Sequence, residues 1–218
     1  MASPERKAAI GPENGMPETL TTVARLTALA LLSSACGYTQ ATCNQCAATY
    51  IPASEIDTYL KLAGTASATN IRMRDQQVRA VDAGRTQLGV GVVYRAKLTR
   101  PADNSVAEHH QVSEVYHVLD GEATLVTGSD IEGLQPRPAE DRAVVLLNGP
   151  GANGSSIKNG VVHHLRAGDV IIIPAGVGHW FTRIDDHIRY LMIRIDPDKV
   201  LPLKDAAASE ADLKQNAK

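Results

Sequence analysis

The spacing of apolar and polar positions changes once along the chain. From Ser54 to Gly64 the apolar residues Ile56, Tyr59, Leu60 and Ala63 recur at helical intervals. Ser54 stands where a helix cap belongs, Asp57 three residues on can return its bond, and Gly64 marks the predicted end. From about Gln77 the period is two. Val78-Arg79-Ala80-Val81-Asp82 alternates, Ala83-Gly84-Arg85 turns, and Leu88, Val90, Val92 and Tyr94 then alternate with Gln87, Gly89, Gly91 and Val93. Further short runs follow at Val112–Leu119, Glu122–Thr127, Ala143–Leu147, Val161–Leu165, Val170–Ile173, His179–Arg183 and Ile188–Ile195. Turn signals separate them: Asp120-Gly121, Asn148-Gly149-Pro150-Gly151, Asn159-Gly160 and Gly168-Asp169. Short strands at regular spacing, with almost no helix between them, predict an all-β sandwich or barrel preceded by a short helix. The Gly-, Pro- and Asn-rich stretch from Gly128 to Gly160 predicts a long excursion at one mouth, where loops are more often functional than idle.

Composition narrows the functions open to such a domain. The 218 residues carry 22 basic and 24 acidic side chains, a net charge of −2, so no basic face for nucleic acid is expected. Aromatics at 4% argue against stacking platforms for bases or sugars. No run approaches the ~20 apolar residues that span a bilayer. Leu26 to Ala35 is an uncharged apolar run, preceded by Arg25 and, further back, Arg6 and Lys7, and followed by Cys36. These are the parts of a secretory leader, so residues 1–35 are read as a signal segment and the protein as exported: periplasmic, secreted, or lipid-anchored at Cys36. The alternative is an amphipathic amino-terminal helix on a cytoplasmic protein. Cys43 and Cys46 would pair in an oxidising compartment. The expected organisation is leader 1–35, an extension at 36–76 holding the helix, a barrel at 77–197 and a polar tail at 198–218.

Candidate chemistry is confined to the β region. All seven histidines lie between 109 and 187, and His109-His110 is followed by Glu114, with His179 far downstream. Two imidazoles and one carboxylate form the facial triad that holds a catalytic divalent metal and leaves positions open. Adjacent His109 and His110 should point to opposite faces of a strand, so one of them is the candidate. Glu114, Tyr116 and Val118 share a strand face, as do His179, Phe181 and Arg183. An inward Arg183 would hold a substrate oxyanion; an outward one would pair with Asp185 or Asp186 in solvent. His117 has the opposite parity to Glu114. His163, His164 and His187 read as structural or exposed.

The run Gly168-Asp-Val-Ile-Ile-Ile-Pro174-Ala-Gly176-Val-Gly-His179 resembles the second motif of the cupin superfamily, departing only where Arg183 replaces the usual Asn. Glu114 and Gly121 match the second half of that family's first motif. Its first half departs, because only one histidine, His109 or His110, can fit, with His109 favoured. The resemblance covers roughly Gln77–Asp196. It implies a double-stranded β-helix (jelly roll), with Glu114, Tyr116 and Val118 facing the barrel interior. It also implies a metal held by His109 or His110, Glu114 and His179, with Fe2+ favoured and Mn2+, Ni2+ or Zn2+ open. The activities it implies are those of dioxygenases, isomerases, decarboxylases or lyases on small oxygenated molecules; a metal-free binding cupin is the alternative. Glu114, Tyr116 and Arg183 are the expected catalytic set, with Tyr116, Phe181 and Arg183 lining a mouth for a small, anionic substrate. The family's habit of burying an outer barrel face implies a homodimer.

Overall fold

The structure, a computed structural model, describes residues 47–68 and 72–216; the leader, Cys36, Cys43 and Cys46 lie outside the described residues. Helix α1 (Ala53–Ala68) comes first, followed by strands β1 (Met73–Asp82), β2 (Gln87–Leu98), β3 (Val106–His109) and β4 (Ser113–Gly128). The excursion holds β5 (Ile131–Glu132), β6 (Gln135–Pro136), a π-helical turn at Val144–Asn148, β7 (Gly151–Gly154) and β8 (Ser156–Ile157). Strands β9 (Val161–Arg166), β10 (Val170–Ile173) and β11 (Gly178–Asp196), then helix α2 (Ala206–Asn216), complete the chain.

Nine strands share one antiparallel hydrogen-bonded sheet, and β5 pairs separately with β8. Its spine is the pair β4–β11, joined from Gly178 opposite Gly128 to Ile195 opposite Ser113. On one flank the end of β11 pairs with β2, which pairs with β1, while the start of β4 pairs with β10. On the other, the start of β11 meets β3, followed by β7 and β6, while the end of β4 pairs with β9. The sheet closes around a core of Val93, Tyr116, Val118, Leu125, Phe181, Ile188, Tyr190 and Met192, drawn from both flanks. This is the expected all-β jelly-roll architecture.

Four local expectations are corrected. Asp120-Gly121 does not end a strand: β4 runs through it, bent at Gly121, whose φ is +75°. A side chain there would collide with the backbone carbonyl of His187, so glycine is required by close approach as well as by φ. The bend reverses parity, from Glu114, Tyr116 and Val118 inside before it to Ala123 and Leu125 inside after it. The runs at His179–Arg183 and Ile188–Ile195 are likewise one strand, with register shifts between Phe181 and Arg183 and again before Ile188. Residues Ala143–Leu147 form no strand. Asp141 seeds a helical turn there, its carboxylate accepting the Ala143 N–H at 2.7 Å and its carbonyl the Val145 N–H at 2.9 Å. Finally, α1 continues past Gly64.

Both helices cover the outer surface of β1 and β2. Tyr59 of α1 packs with Val78 and Val92, and Leu213 of α2 joins them. The polar tail becomes a helix because Asp205 Oδ1 caps it, accepting the Ala208 N–H at 2.8 Å. This arrangement gives β2 an unexpected polarity. On its outer face Val92 packs against the helices, while the opposite face carries Gly89, Gly91, Val93 and Arg95.

Candidate metal centre

Three separated segments bring His109, Glu114 and His179 together. His109 ends β3, Glu114 is the second residue of β4, and His179 is the second residue of β11. The turn of the second motif makes the junction. Val177 N–H bonds the Pro174 carbonyl at 3.1 Å, Gly176 sits at φ +80°, and its N–H bonds the His109 carbonyl at 2.8 Å. Ala175 N–H bonds Ser113 Oγ at 3.0 Å, tying the same turn to the residue before Glu114. The proline–glycine turn therefore fixes all three side chains at once.

One ligand atom from each residue lies within 4.8 Å of the others, and all three residues are buried. His109 Nε2 stands 3.4 Å from Glu114 Oε1, and His179 Nε2 stands 3.6 Å from Glu114 Oε2. Tyr116 Oη donates to Oε2 at 2.7 Å. Oε1, by contrast, accepts no hydrogen bond although it is buried, the His109 approach lacking the alignment of one. A buried anionic oxygen without a donor is costly unless a cation occupies the space beside it. His, Glu and His are also the donor types that divalent transition metals take. The residues fit such an ion.

The protonation of the cluster follows from its neighbours. Burial opposes ionisation of Glu114, but the two imidazoles and the Arg194 guanidinium outweigh it and hold the carboxyl well below the usual carboxylate range. Burial pushes His179 down to about 4 against the pull of Glu114, so its ring is neutral near pH 7. His179 Nδ1 lies 3.3 Å from the Val177 carbonyl, which can only accept; Nδ1 thus carries the proton and Nε2 presents its lone pair to the centre. His109 differs. Its Nδ1 faces Arg137 Nη1 at 3.3 Å, and a guanidinium can only donate, so in the metal-free centre Nε2 keeps the proton. A cation bound there would replace it. Burial and the adjacent Glu114 push the Tyr116 hydroxyl well above its ordinary value, so it remains a donor.

Behind the carboxylate lies an arginine that periodicity alone had not singled out. Arg194 is wholly buried, 4.0 Å from Glu114 Oε1 through its Nε. It donates to Asn148 Oδ1 at 3.2 Å, Gln77 Oε1 at 2.7 Å and Asp75 Oδ2 at 2.5 Å. Gly91 makes room for it, since a side chain there would press on Arg194 Nη1. The available signal was the parity of Ile188, Tyr190, Met192 and Arg194 on one strand. Arg137, from the Gly-rich excursion, also binds the carbonyls of Glu108 and Ala152 and so anchors that segment beside His109.

Two expected site residues are elsewhere. His110 is half exposed and reaches Glu108 Oε2 at 3.2 Å, because alternation turns it away from the centre as His109 turns in. Arg183 is exposed and paired with Asp185 at 2.7 Å. The register shift after Phe181 breaks the parity that would have aimed it inward. The oxyanion role expected of Arg183 therefore fails. Among the remaining histidines, His117 and His164 are exposed, His163 bonds Thr127 Oγ1 at 2.9 Å, and His187 lies between Asp120 and Asp186. Trp180 is turned from the centre, with its Nε1 donating to Ser105 Oγ.

A cavity of about 160 Å3 opens beside His179, lined among others by Arg95, Leu98, Ala107, Phe181 and Ile184. A larger groove of about 830 Å3, between the start of β1, the 141–147 segment and α2, contains none of the three cluster residues.

Fold and centre together define an antiparallel barrel with a buried two-histidine, one-carboxylate cluster. The cupin family pattern matches residues 64–203, and the chain belongs to that family. No curated protein matches it significantly. Among solved structures it is similar to the DMSP lyase DddQ from Ruegeria pomeroyi DSS-3, at 18% identity and a TM-score of 0.37, over 61% of this chain and 51% of that one. The chain thus spans about half the length of that lyase. It is similar to BH2720 from Bacillus halodurans at 15% identity and a TM-score of 0.37, over 78% of this chain and 99% of that one. It also resembles a Cupin 2 conserved barrel domain protein from Salinispora arenicola CNS-205 at 14% identity and a TM-score of 0.32, over 66% and 84%. No helix among the described residues is long and apolar enough to cross a membrane.

Proposed function

We propose that the protein is a metal-dependent cupin enzyme acting on a small oxygenated molecule, with His109, Glu114 and His179 holding a divalent ion, Fe2+ by preference. The observation that carries this reading is Glu114, a buried carboxylate with one oxygen lacking a donor and an imidazole beside each oxygen. Such an ion would supply Lewis acidity or a site for oxygen chemistry. The chain's own groups position and exclude. Tyr116 and Arg194 fix the carboxylate, Val177 and Arg137 fix the two rings, and Phe181 and Ile184 keep the adjoining cavity largely apolar. Metal analysis of the purified protein tests the proposal. About one divalent ion per chain, lost in a Glu114→Ala/His179→Ala variant, supports it; a wild-type protein without metal after reconstitution points to the non-catalytic binding cupin.

Two accompanying proposals rest on other parts of the chain. Export rests on the leader-like residues 1–35, and intact mass of natively produced protein tests it: a mature chain beginning at Cys36 supports export. A homodimer is favoured by Val161, Val162, Val170 and Ile172, exposed on β9 and β10, and light scattering across concentrations decides it.

A further inference from the structure

The cavity beside His179 has a charge pattern that the metal cluster does not require. Three cationic residues line it, Arg72, Arg95 and Lys97, and no carboxylate does. Arg72 and Lys97 are exposed at the rim, whereas Arg95 is half-buried. Its guanidinium lies over the Phe181 ring, 4.3 Å from the centroid, and its Nε donates to Tyr190 Oη at 3.0 Å. Phe181 stacks on Tyr190, and Tyr190 meets Tyr116 at a tilt with ring centroids 4.5 Å apart, so the platform beneath the guanidinium is a packed, buried aromatic group. The two Nη groups make no hydrogen bond or ion pair among the described residues. A guanidinium fixed through its Nε and one face, with its terminal donors unspent in a cavity free of acids, is a fork awaiting a planar anion.

We infer that Arg95 is the substrate's anion anchor and that the substrate is a small monocarboxylate, held at one end by Arg95 while its other end reaches the His109–Glu114–His179 centre. The inference rests on the proposed function for the chemistry at that second end. Size and wall chemistry select the class. A volume of about 160 Å3 equals roughly five water molecules, which suits a chain of a few carbons. The walls beyond the fork are Leu98, Ala107, Phe181 and Ile184, which favour an apolar body over a second charged group. Arg72 and Lys97 at the rim would attract the anion from solution without specifying its shape.

The test uses the full chain loaded with Mn2+, with sodium propionate, propionamide and inorganic phosphate as probes in titration calorimetry. Propionate should bind at least tenfold more tightly than propionamide, which has its shape without its charge, and more tightly than phosphate. Arg95→Gln should abolish the preference for propionate over the amide. Arg95→Lys, which keeps the charge but not the fork, should retain only part of it. An Arg72→Gln/Lys97→Gln variant should keep the preference and lose mainly its salt dependence. Equal binding of acid and amide to the wild type overturns the inference, as does tighter binding of phosphate or a full preference surviving in Arg95→Gln. If Arg95→Gln does not fold, an undiminished preference in Arg95→Lys overturns it instead. The Glu114→Ala/His179→Ala protein separates the two readings. A propionate preference that persists in this variant, together with a wild type that takes up no metal, means that the metal reading failed and the anchor did not. A metal-loaded wild type without the preference means the reverse.

Discussion

Two arginines flank the same cluster and meet opposite fates. Arg194 has no exposed surface, and its donors are taken by Asp75, Gln77 and Asn148, with Glu114 close behind. Arg95 is half-buried on an aromatic shelf, with only its Nε engaged. Inside this barrel a structural cation and a recognising one differ in their donors. Burial alone does not decide; what matters is whether the donors are already satisfied. On the Arg194 side each nitrogen of the guanidinium meets an acceptor supplied by the chain. On the Arg95 side it has left donors and a cavity together.

Removal of the cluster itself should have the largest effect. Glu114→Ala with His179→Ala should reduce bound metal from about one ion per chain to near none, read by elemental analysis, while the barrel remains folded by circular dichroism. Next in size is the closed side. Arg194→Met leaves Asp75 as an unpaired buried charge and should cost roughly 3–5 kcal/mol in denaturant unfolding, the range for breaking a buried pair. A cost near zero would mean that the network is not structural. Arg95→Gln should cost far less stability than this, since its amino groups have no protein partners to strand.

Acid gives a third test. His179 has its folded-state pKa lowered to about 4, so between the ordinary histidine value of ~6.5 and about 4 the unfolded chain binds a proton that the folded chain does not. The stability this residue contributes is full above pH ~6.5 and falls as pH drops toward 4, by about 3 kcal/mol at most. Glu114, also depressed, adds its own loss only further down. Chemical denaturation of the metal-free protein at pH 7.5, 6 and 5 should show this decline, and His179→Gln should flatten it. The smallest effect belongs outside both regions: Arg183→Ala should leave melting temperature and metal content unchanged, because its ion pair is exposed.

The class of fold and most of the centre are legible in the sequence. Alternation with regular turn signals predicts strands because side chains point to opposite faces at every step. The run from Gly168 to His179 carries its geometry locally, in a proline, a glycine at positive φ and a histidine at fixed spacing. Strand parity also separates His109 from His110, although which of the two turns inward needed the backbone bond from Gly176 to His109. What the tertiary structure decided is wherever parity is broken or borrowed. One register shift sends Arg183 to solvent, and one bend at Gly121 joins two apparent strands; neither is visible in a period-two pattern. The interior face of β2 was hidden for a related reason. Helices α1 and α2 pack on Val92 from outside, while Arg95, of the opposite parity, lines the cavity. Neither Arg194 nor Arg95 stands in a motif or beside a histidine in the sequence. Their roles follow from which partners the closed sheet brings to their donors, and of these Tyr190, Gln77 and Asp75 lie more than ninety positions away along the chain.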